Sequence, residues 1–406
     1  MKPTILLVTS CRWFATARIA IAFAEAGCQV NIVCPKGHPV VKASIVDRMF
    51  VYHGLHPVPG LSKAIENIKP SLLVPCDDRA TLDLLSLRAQ TNSPVVKQSI
   101  THALGDPGNY TALTARSVFM RIAHEAGVCV PETQEVDSLS TLQHWLSAHE
   151  FPAYLKADGT SGGVGVMKIQ DIREAERALA QLSTPPAAIR MAKRLIVDRD
   201  TSFVLPFVRR THSTVNVQKL VSGVETNSAV SCWQGKVISC VHVQVLERRD
   251  STGHATVVRV IENQQMQDAA EKVARRLGLS GLFGLDYIVE QSSGQAYLLE
   301  INARATQTCH LALGPGRSPI AALAAMMCGK PVNEIPAVTN QETIALFPQE
   351  WKRNPASAYL QSTFHDVPWA YPELIRSSVK WRLHEQDAFS YQKWLQRRRS
   401  TKKASN

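Results

Sequence analysis

The sequence contains no run of 18 apolar residues, so it predicts no helix that spans a membrane. It also lacks the HExxH and zinc-ribbon spacings of common metal sites. Its nine cysteines are scattered and form no CxxC pair, which favours reduced thiols in the cytoplasm over a disulfide framework. With 45% hydrophobic and 19% charged residues among 406, the composition predicts a soluble globular protein with room for two or three domains.

Two common phosphate-binding motifs are absent from the glycine-rich stretch YLKADGTSGGVGVMK at 154–168. The P-loop pattern GxxxxGK[ST] fails because Lys168 is followed by Ile169. The dinucleotide pattern GxGxxG fails because no third glycine stands at position 168. Here the lysine, Lys156, precedes the glycines, so any phosphate site must be of another kind.

The net charge of +11 is concentrated at the C-terminal end. Residues 391–406 contain six basic and no acidic side chains, and removing these charges leaves +5 for the first 390 residues. Only Trp394 interrupts the basic run with an aromatic ring, so base stacking has little support. The pattern favours a solvated tail over a contact with nucleic acid or a membrane surface.

The first hundred residues alternate between strand and helix patterns. Apolar runs at 4–9, 29–34 and 71–75 predict strands, and helical periodicity at 15–26 and 79–89 predicts helices between or after them. This order is typical of a small, doubly wound parallel sheet. Asp77 and Asp78 follow the third run, at the carboxyl edge where such sheets present ligands. A further helix is predicted over 111–126 and another over 266–277.

The glycine-rich stretch predicts a hairpin, with strands at 151–156 and 164–169 joined by 157–163. Backbone N–H groups of such a loop can donate to polyphosphate oxygens, and Lys156 at its base can contact the same phosphates. Taken alone, the pattern fits a glycine-rich surface hairpin at least as well, with the lysine extending into solvent.

A second hairpin carries acidic residues. The segment GLFGLDYIVEQSSGQAYLLEINAR at 281–304 predicts strands at 282–289 and 296–302 around a turn. If Glu290 pairs with Ala296, Asp286 lies directly opposite Glu300, and Asn302 shares that face. Opposed carboxylates repel each other, and a divalent cation such as Mg²⁺ removes the conflict. Without the glycine hairpin, acids that simply face water would be the favoured interpretation.

The two hairpins together resemble the ATP-grasp superfamily, which includes biotin carboxylase, D-alanine–D-alanine ligase and carbamoyl-phosphate synthetase. The resemblance covers roughly residues 1–330 and implies a fold of the α/β and α+β classes. A small doubly wound pre-ATP-grasp domain is expected at 1–105, followed by a two-lobed ATP-grasp domain at 106–345. Its lid lobe is expected at about 116–215 and its metal-binding lobe at about 216–345. Residues 346–406 would form a C-terminal extension with the basic tail.

The resemblance also implies roles for individual residues. Lys156 and Arg304 would act in catalysis, with Lys156 on the phosphates and Arg304 on the transferred phosphoryl group or the substrate carboxylate. ATP would further contact Arg116, Gly162, Gly163, Val164, Gly165, Lys219, Val221 and Glu225. Mg²⁺ or Mn²⁺ would be bound by Asp286, Glu300 and Asn302. The sequence departs from the family at Arg116, where lysine is more frequent, and at Lys219, where glutamate is common.

The activity that the resemblance implies is that of an ATP-dependent carboxylate–amine ligase, which forms an acyl phosphate and releases ADP and phosphate. Its expected partners are a small-molecule carboxylate and a small-molecule amine, and a homo-oligomer is compatible with this interpretation. A carboxylase, a phosphoryl-transfer enzyme without amine ligation and a non-catalytic ATP-binding module remain alternatives. Residues 306–318 are expected on the acceptor side, where His310 is a candidate.

Overall fold

The computed structural model describes residues 2–158, 165–183, 214–250, 253–331 and 335–378. Within these residues, no helix is both long and apolar enough to cross a bilayer. The described chain is organised around three β-sheets.

The first sheet is parallel and lies in the N-terminal part of the chain. Its strands have the order β3-β2-β1-β4, with bounds β1 Thr4–Val8, β2 Gln29–Cys34, β3 Arg48–Val51 and β4 Leu72–Pro75. Helix α1, Phe14–Glu25, packs on one face of this sheet. Three helices cover the other face, namely α2 Pro57–Ile68, α3 Asp78–Gln90 and α4 Pro94–Leu104. Helices on both faces make this unit doubly wound, which confirms the predicted α/β class.

One carboxylate stabilises the carboxyl edge of this sheet. Asp77 caps helix α3 by accepting from the N–H of Ala80 at 2.9 Å. It also accepts from the backbone N–H and the hydroxyl of Ser10, each at 2.7 Å, and from the hydroxyl of Thr9 at 2.7 Å. These bonds fix the β1–α1 loop against the start of α3.

The second sheet has seven strands in the order β13-β12-β9-β10-β11-β14-β15. Their bounds are β9 Gly223–Trp233, β10 Lys236–Arg248, β11 Ala255–Ile261, β12 Gly281–Glu290, β13 Ala296–Asn302, β14 Thr343–Ala345 and β15 Phe364–His365. One face packs against helices α5, Arg116–Glu125, and α8, Gln264–Leu277. The other face packs against α9, Pro319–Met327, and the N-terminal unit. The domain boundary predicted at 345/346 therefore falls between two strands that pair with each other.

The third sheet is antiparallel and has the order β5-β8-β6-β7. Its strands are β5 Thr133–Val136, β6 Ala153–Ala157, β7 Val166–Ile169 and β8 Val215–Lys219. Helices α6, Leu139–Ser147, and α7, Ile172–Ser183, share its apolar core. Two short helices, α10 Gln349–Arg353 and α11 Tyr359–Ser362, lie in the C-terminal part. The basic run at 391–406 lies outside the described residues.

The prediction of one continuous helix over 111–126 is wrong. The chain forms a 3-10 helix at Pro107–Leu113 and then starts α5 at Arg116. The N–H of Arg116 donates to the carboxylate of Asp158 at 3.2 Å. This capping carboxylate lies 42 residues further along the chain. The local apolar periodicity therefore does not mark the break.

The bonds to Asp77 generate a stability prediction. Replacing Asp77 with Ala removes a helix cap and three further hydrogen bonds, so the N-terminal unit should lose about 2–4 kcal/mol of unfolding free energy. Hydrogen–deuterium exchange should become faster in α3 and in the β1–α1 loop. The control is Asp171→Ala, because the Asp171 side chain accepts from one N–H near the start of α7. That variant should leave the N-terminal amides unchanged. Equal protection of these amides in Asp77→Ala and the wild type would contradict the assigned role.

Candidate active site

The acidic pair lies at an irregularity between β12 and β13. Asp286 pairs with Glu300, as predicted, but the premise of that prediction is wrong because Val289, and not Glu290, pairs with Ala296. The register shifts by one residue between Asp286 and Tyr287, where Leu299 is the extra residue. Without this bulge Glu300 would face Leu285 and the apolar core. The bulge turns its carboxylate to the face of Asp286, a frequent function of bulges near sites.

Polar contacts continue from the acidic pair towards the N-terminal unit. The amide of Asn302 donates to Asp286 at 3.0 Å, and its oxygen accepts from Arg304 at 2.9 Å. The Nε of Arg304 donates to Asp78 at 2.6 Å. Burial lowers the pKa of Arg304, but the adjacent Asp78 carboxylate outweighs burial and raises it. Asp78, which was predicted only to lie at the ligand-presenting edge of the first sheet, thus orients the predicted catalytic arginine.

The two opposed acids have pKa values shifted in opposite directions. Burial, and then the charge of Glu300, raise the pKa of Asp286. Burial also raises the pKa of Glu300, but Arg116 and Lys156 outweigh it and the net shift is downward. Arg116 and Lys156 therefore hold Glu300 ionised. Asp286 lacks enough positive charge nearby to be ionised in the same way. A divalent cation at this position would supply that charge.

Lys156 reaches the acidic pair from the third sheet. It lies on β6 between Asn216 on β8 and Val166 on β7, and only 7% of it is exposed. Burial lowers its pKa to about 8, with a further contribution from the positive charge of Arg116, while Glu300 and Asp286 act in the opposite direction. A buried ammonium beside two carboxylates is suited to an additional anion such as phosphate.

Arg116 connects the first turn of α5 with both sheets. Its Nη2 donates to Glu300, and its Nη1 lies 3.6 Å from Asp158. The buried Nε and Nη1 atoms have no hydrogen-bond partner. Asp158 is held in turn by Asn216 at 3.0 Å. Sequence reasoning missed Asp158 and Asn216, although Asp158 stands two residues after Lys156 in the predicted hairpin.

The predicted ATP-contacting residues Lys219, Val221 and Glu225 lie at the end of β8, in the connection to β9 and near the start of β9, respectively. The N–H of Lys219 donates to the carbonyl of Glu132 at 3.0 Å, and the contact of Lys219 with ATP stays a prediction. Val221 lies between the two strands. Glu225 contacts Arg248, and burial, opposed by that arginine, raises the pKa of the carboxyl group.

The glycine loop is only partly within the described residues. Gly162, Gly163 and Val164 lie outside them. Gly165 is described, and its carbonyl accepts from the N–H of Ala157 at 2.8 Å. The predicted strand at 164–169 is observed from Val166 onwards. The contact of this loop with phosphate oxygens stays a prediction.

The residues present fit a metal bound together with a nucleotide. Within the described ranges, no group of three or more His, Cys, Asp or Glu side chains could hold a metal by itself. Two opposed carboxylates instead suit Mg²⁺, which commonly completes its coordination with phosphate oxygens and water. The amide oxygen of Asn302 accepts from Arg304 here, so its role as a metal ligand stays a prediction. The two unpartnered N–H groups of Arg116 are donors for those phosphates.

His310 contacts the C-terminal part of the chain. Its Nε2 lies 2.7 Å from Asp366, and Arg18 on α1 contacts the same carboxylate. His310 Nδ1 and Arg18 Nε are buried without a hydrogen-bond partner. Burial raises the pKa of Asp366, but His310 and Arg18 outweigh it and lower the value. These contacts tie the loop after β13 to α1 and to β15.

Comparison with known proteins agrees with this geometry. Residues 124–308 match the model of the ATP-grasp domain. The carbamoyl phosphate synthase large chain of Thermus thermophilus is 24% identical over 235 residues, which are 57% of this chain and 21% of that protein. The N-terminal section of the Aquifex aeolicus large chain is 24% identical over 273 residues, covering 66% and 45%. The match thus spans 21% of the length of the first relative and 45% of the length of the second.

Solved structures show the same fold over most of the chain. N5-carboxyaminoimidazole synthase from Aspergillus clavatus, with ADP and 5-aminoimidazole ribonucleotide, has a TM-score of 0.59 at 14% identity and covers 84% of this chain and 80% of its own. The biotin carboxylase domain of Hydrogenobacter thermophilus 2-oxoglutarate carboxylase, with MgADP and bicarbonate, has a TM-score of 0.58 at 13% identity, covering 81% and 70%. L-amino acid ligase from Bacillus licheniformis has a TM-score of 0.53 at 11% identity, covering 83% and 78%.

The described residues therefore adopt an ATP-grasp fold preceded by a doubly wound α/β unit. Residues 124–308 match the ATP-grasp domain, and the predicted resemblance to the ATP-grasp superfamily is confirmed.

The burial of Lys156 generates a prediction about pH. Its ammonium should titrate near pH 8, well below the ordinary value of 10.5. Because the folded-state pKa is depressed, the charged form destabilises the folded protein below about pH 8. That cost should disappear as the pH rises from 8 to 10.5.

Carbon-13 resonances of labelled lysine side chains measure this titration, with the Lys156→Met spectrum as the assignment control. A Lys156 resonance that titrates near 10.5 would show that the ammonium is solvated.

Proposed function

We propose that this protein is an ATP-dependent ligase that activates a carboxylate as an acyl phosphate and joins it to an amine. The observation that carries this proposal is the convergence of Asp286, Glu300, Arg116 and Lys156 from two sheets and one helix. Two acids that could bind a metal and two cations that could bind phosphates are the charged groups that phosphoryl transfer requires. The names of similar proteins, which include an amino acid ligase and synthetases, support the ligase class.

The proposed reaction has two steps. A carboxylate oxygen of the substrate attacks the γ-phosphorus of ATP, and the bond between that phosphorus and the bridging oxygen of ADP breaks. The amine then attacks the carbonyl carbon of the acyl phosphate, phosphate leaves, and the nitrogen loses a proton. Neither step needs a nucleophile from the protein, so the enzyme contributes position and charge.

Each charged residue has a defined task in this reaction. Lys156 and Arg116 hold phosphate oxygens, and Asp286, Glu300 and Asn302 would hold Mg²⁺ or Mn²⁺, which neutralises charge on the phosphates. Arg304, oriented by Asp78, places a fixed positive charge beside the metal ligands. A guanidinium in that position stabilises a phosphoryl group or a substrate carboxylate through two parallel hydrogen bonds.

A carboxylase that activates bicarbonate is the second candidate. The biotin carboxylase domain described above was solved with MgADP and bicarbonate, and it shares the fold. Stimulation of ADP release by bicarbonate alone, without a larger carboxylate, would favour this candidate. A non-catalytic ATP-binding module would release no ADP with any of these substrates.

We further propose small-molecule carboxylate and amine partners and a cytoplasmic location. The nine cysteines are scattered along the sequence and form no CxxC pair, which agrees with a reducing compartment. A homo-oligomer stays a prediction.

The proposed mechanism predicts the nucleotide product. A screen of carboxylates with Mg·ATP and hydroxylamine should give ADP, phosphate and a hydroxamate in equal amounts, because hydroxylamine intercepts acyl phosphates. Product chromatography and the iron(III)–hydroxamate colour measure these species. AMP and pyrophosphate formed in step with the hydroxamate would contradict the mechanism and indicate adenylation.

The same assay tests the metal ligands. Glu300→Gln should lower ADP formation by about 100-fold or more, a loss typical for one preorganised charge contact. Glu290→Gln, at the far end of the same hairpin, is the matched control and should retain the activity. Equal activity of the two variants would exclude Glu300 from the site.

A further inference from the structure

Arg116 contacts a carboxylate that a bound metal would also require. Its Nη2 contacts Oε2 of Glu300, and the guanidinium is buried, with only 10% of the side chain exposed. Glu300 is the more accessible partner, with 36% of its side chain exposed. Glu300 therefore has two candidate cationic partners. One is Arg116, which already contacts it, and the other is a divalent ion, which would bind through the same carboxylate.

Asp158 fixes the other end of this arginine. One of its oxygens accepts from the backbone N–H of Arg116 at 3.2 Å, and the other lies 3.6 Å from Nη1. Asn216 donates to the same carboxylate at 3.0 Å. Asp158 therefore anchors Arg116 at the end of β6 in the third sheet, whereas Glu300 lies on β13 of the second sheet. The branched guanidinium allows Arg116 to contact both acids, which the single ammonium of lysine cannot reproduce with the same geometry.

The two cations cannot share Glu300 without cost. A guanidinium and a divalent ion on one carboxylate repel each other, and Lys156 adds a further positive charge to the same surroundings. Phosphate oxygens offer Arg116 an alternative partner, because its Nε and Nη1 are buried donors with no hydrogen-bond partner. A nucleotide that satisfies these donors would weaken the hold of Arg116 on Glu300.

We propose that Arg116 is an exchangeable counter-ion of Glu300, so that a divalent metal binds tightly only after nucleotide phosphates have drawn the arginine away. This inference rests on the proposed nucleotide site. It makes Asp158 a positioning residue, since it keeps Arg116 within reach of both partners. The consequence is that metal and nucleotide each strengthen the binding of the other.

Free Mn²⁺ measured by electron paramagnetic resonance tests the proposal without any turnover. The wild-type protein should bind Mn²⁺ weakly alone and at least about tenfold more tightly with saturating ADP. Arg116→Gln should bind Mn²⁺ alone at least about tenfold more tightly than the wild type, because the competing charge is gone. Arg116→Lys should remain weak, because it keeps a positive charge.

Matched variants separate this effect from general damage. Arg121→Gln, which breaks an exposed ion pair on the same helix, should bind Mn²⁺ as the wild type does. Adding Glu300→Gln to Arg116→Gln should abolish the gained affinity. If Arg116→Gln fails to fold, Asp158→Asn provides the second route, and its Mn²⁺ affinity in the absence of ADP should rise.

The outcomes distinguish this inference from the proposed function. Equal Mn²⁺ affinity of the wild type with and without ADP, together with measurable ADP binding, would overturn the counter-ion role and leave the nucleotide site intact. A folded Arg116→Gln protein with unchanged Mn²⁺ affinity would overturn it as well. Absence of ADP binding to the wild type in a calorimeter would instead overturn the proposed function.

Discussion

Asp286 and Glu300 face each other across two antiparallel strands, and their mutual repulsion determines what must surround them. Asn302 donates to Asp286, whereas Arg116 and Lys156 balance the charge of Glu300. Most of the other polar side chains of the site are arranged around the two charges of this pair. The apolar cores on both sides of the seven-stranded sheet hold the pair in position, so the repulsion cannot be relieved by moving the strands.

The same charges also link the sheets. Lys156 lies on β6 of the third sheet and Asp158 directly follows that strand. Glu300 lies on β13 of the second sheet, and Arg116 begins the helix that contacts both sheets. A ligand that changes the partners of Arg116 therefore acts on the contact between the two sheets as well as on the metal site. Under the proposed exchange, nucleotide binding would therefore be coupled to the contact between the two sheets through one side chain.

Sequence patterns predicted those parts of the site that depend on local periodicity. The βαβ start, the two hairpins and the pairing of Asp286 with Glu300 follow from alternation and turn residues over short spans. The predicted register at the turn was off by one residue, but the bulge at Leu299 shifts the strand by one residue and brings Glu300 opposite Asp286 as predicted. Contacts such as Arg304 with Asp78, 226 residues apart, and Arg18 with Asp366, 348 apart, have no local signal. The same holds for the cap of Asp158 on α5, which divided a predicted helix.

A crystal structure with Mn²⁺ and ADP, examined by anomalous scattering, tests the metal site most directly. We predict one strong anomalous peak within about 2.0–2.6 Å of carboxylate oxygens of both Asp286 and Glu300. Arg116 should contact phosphate oxygens and no longer Glu300. Bound ADP with Mn²⁺ at other residues, or with no anomalous peak between these two carboxylates, would contradict the assignment of the acidic pair as the metal site.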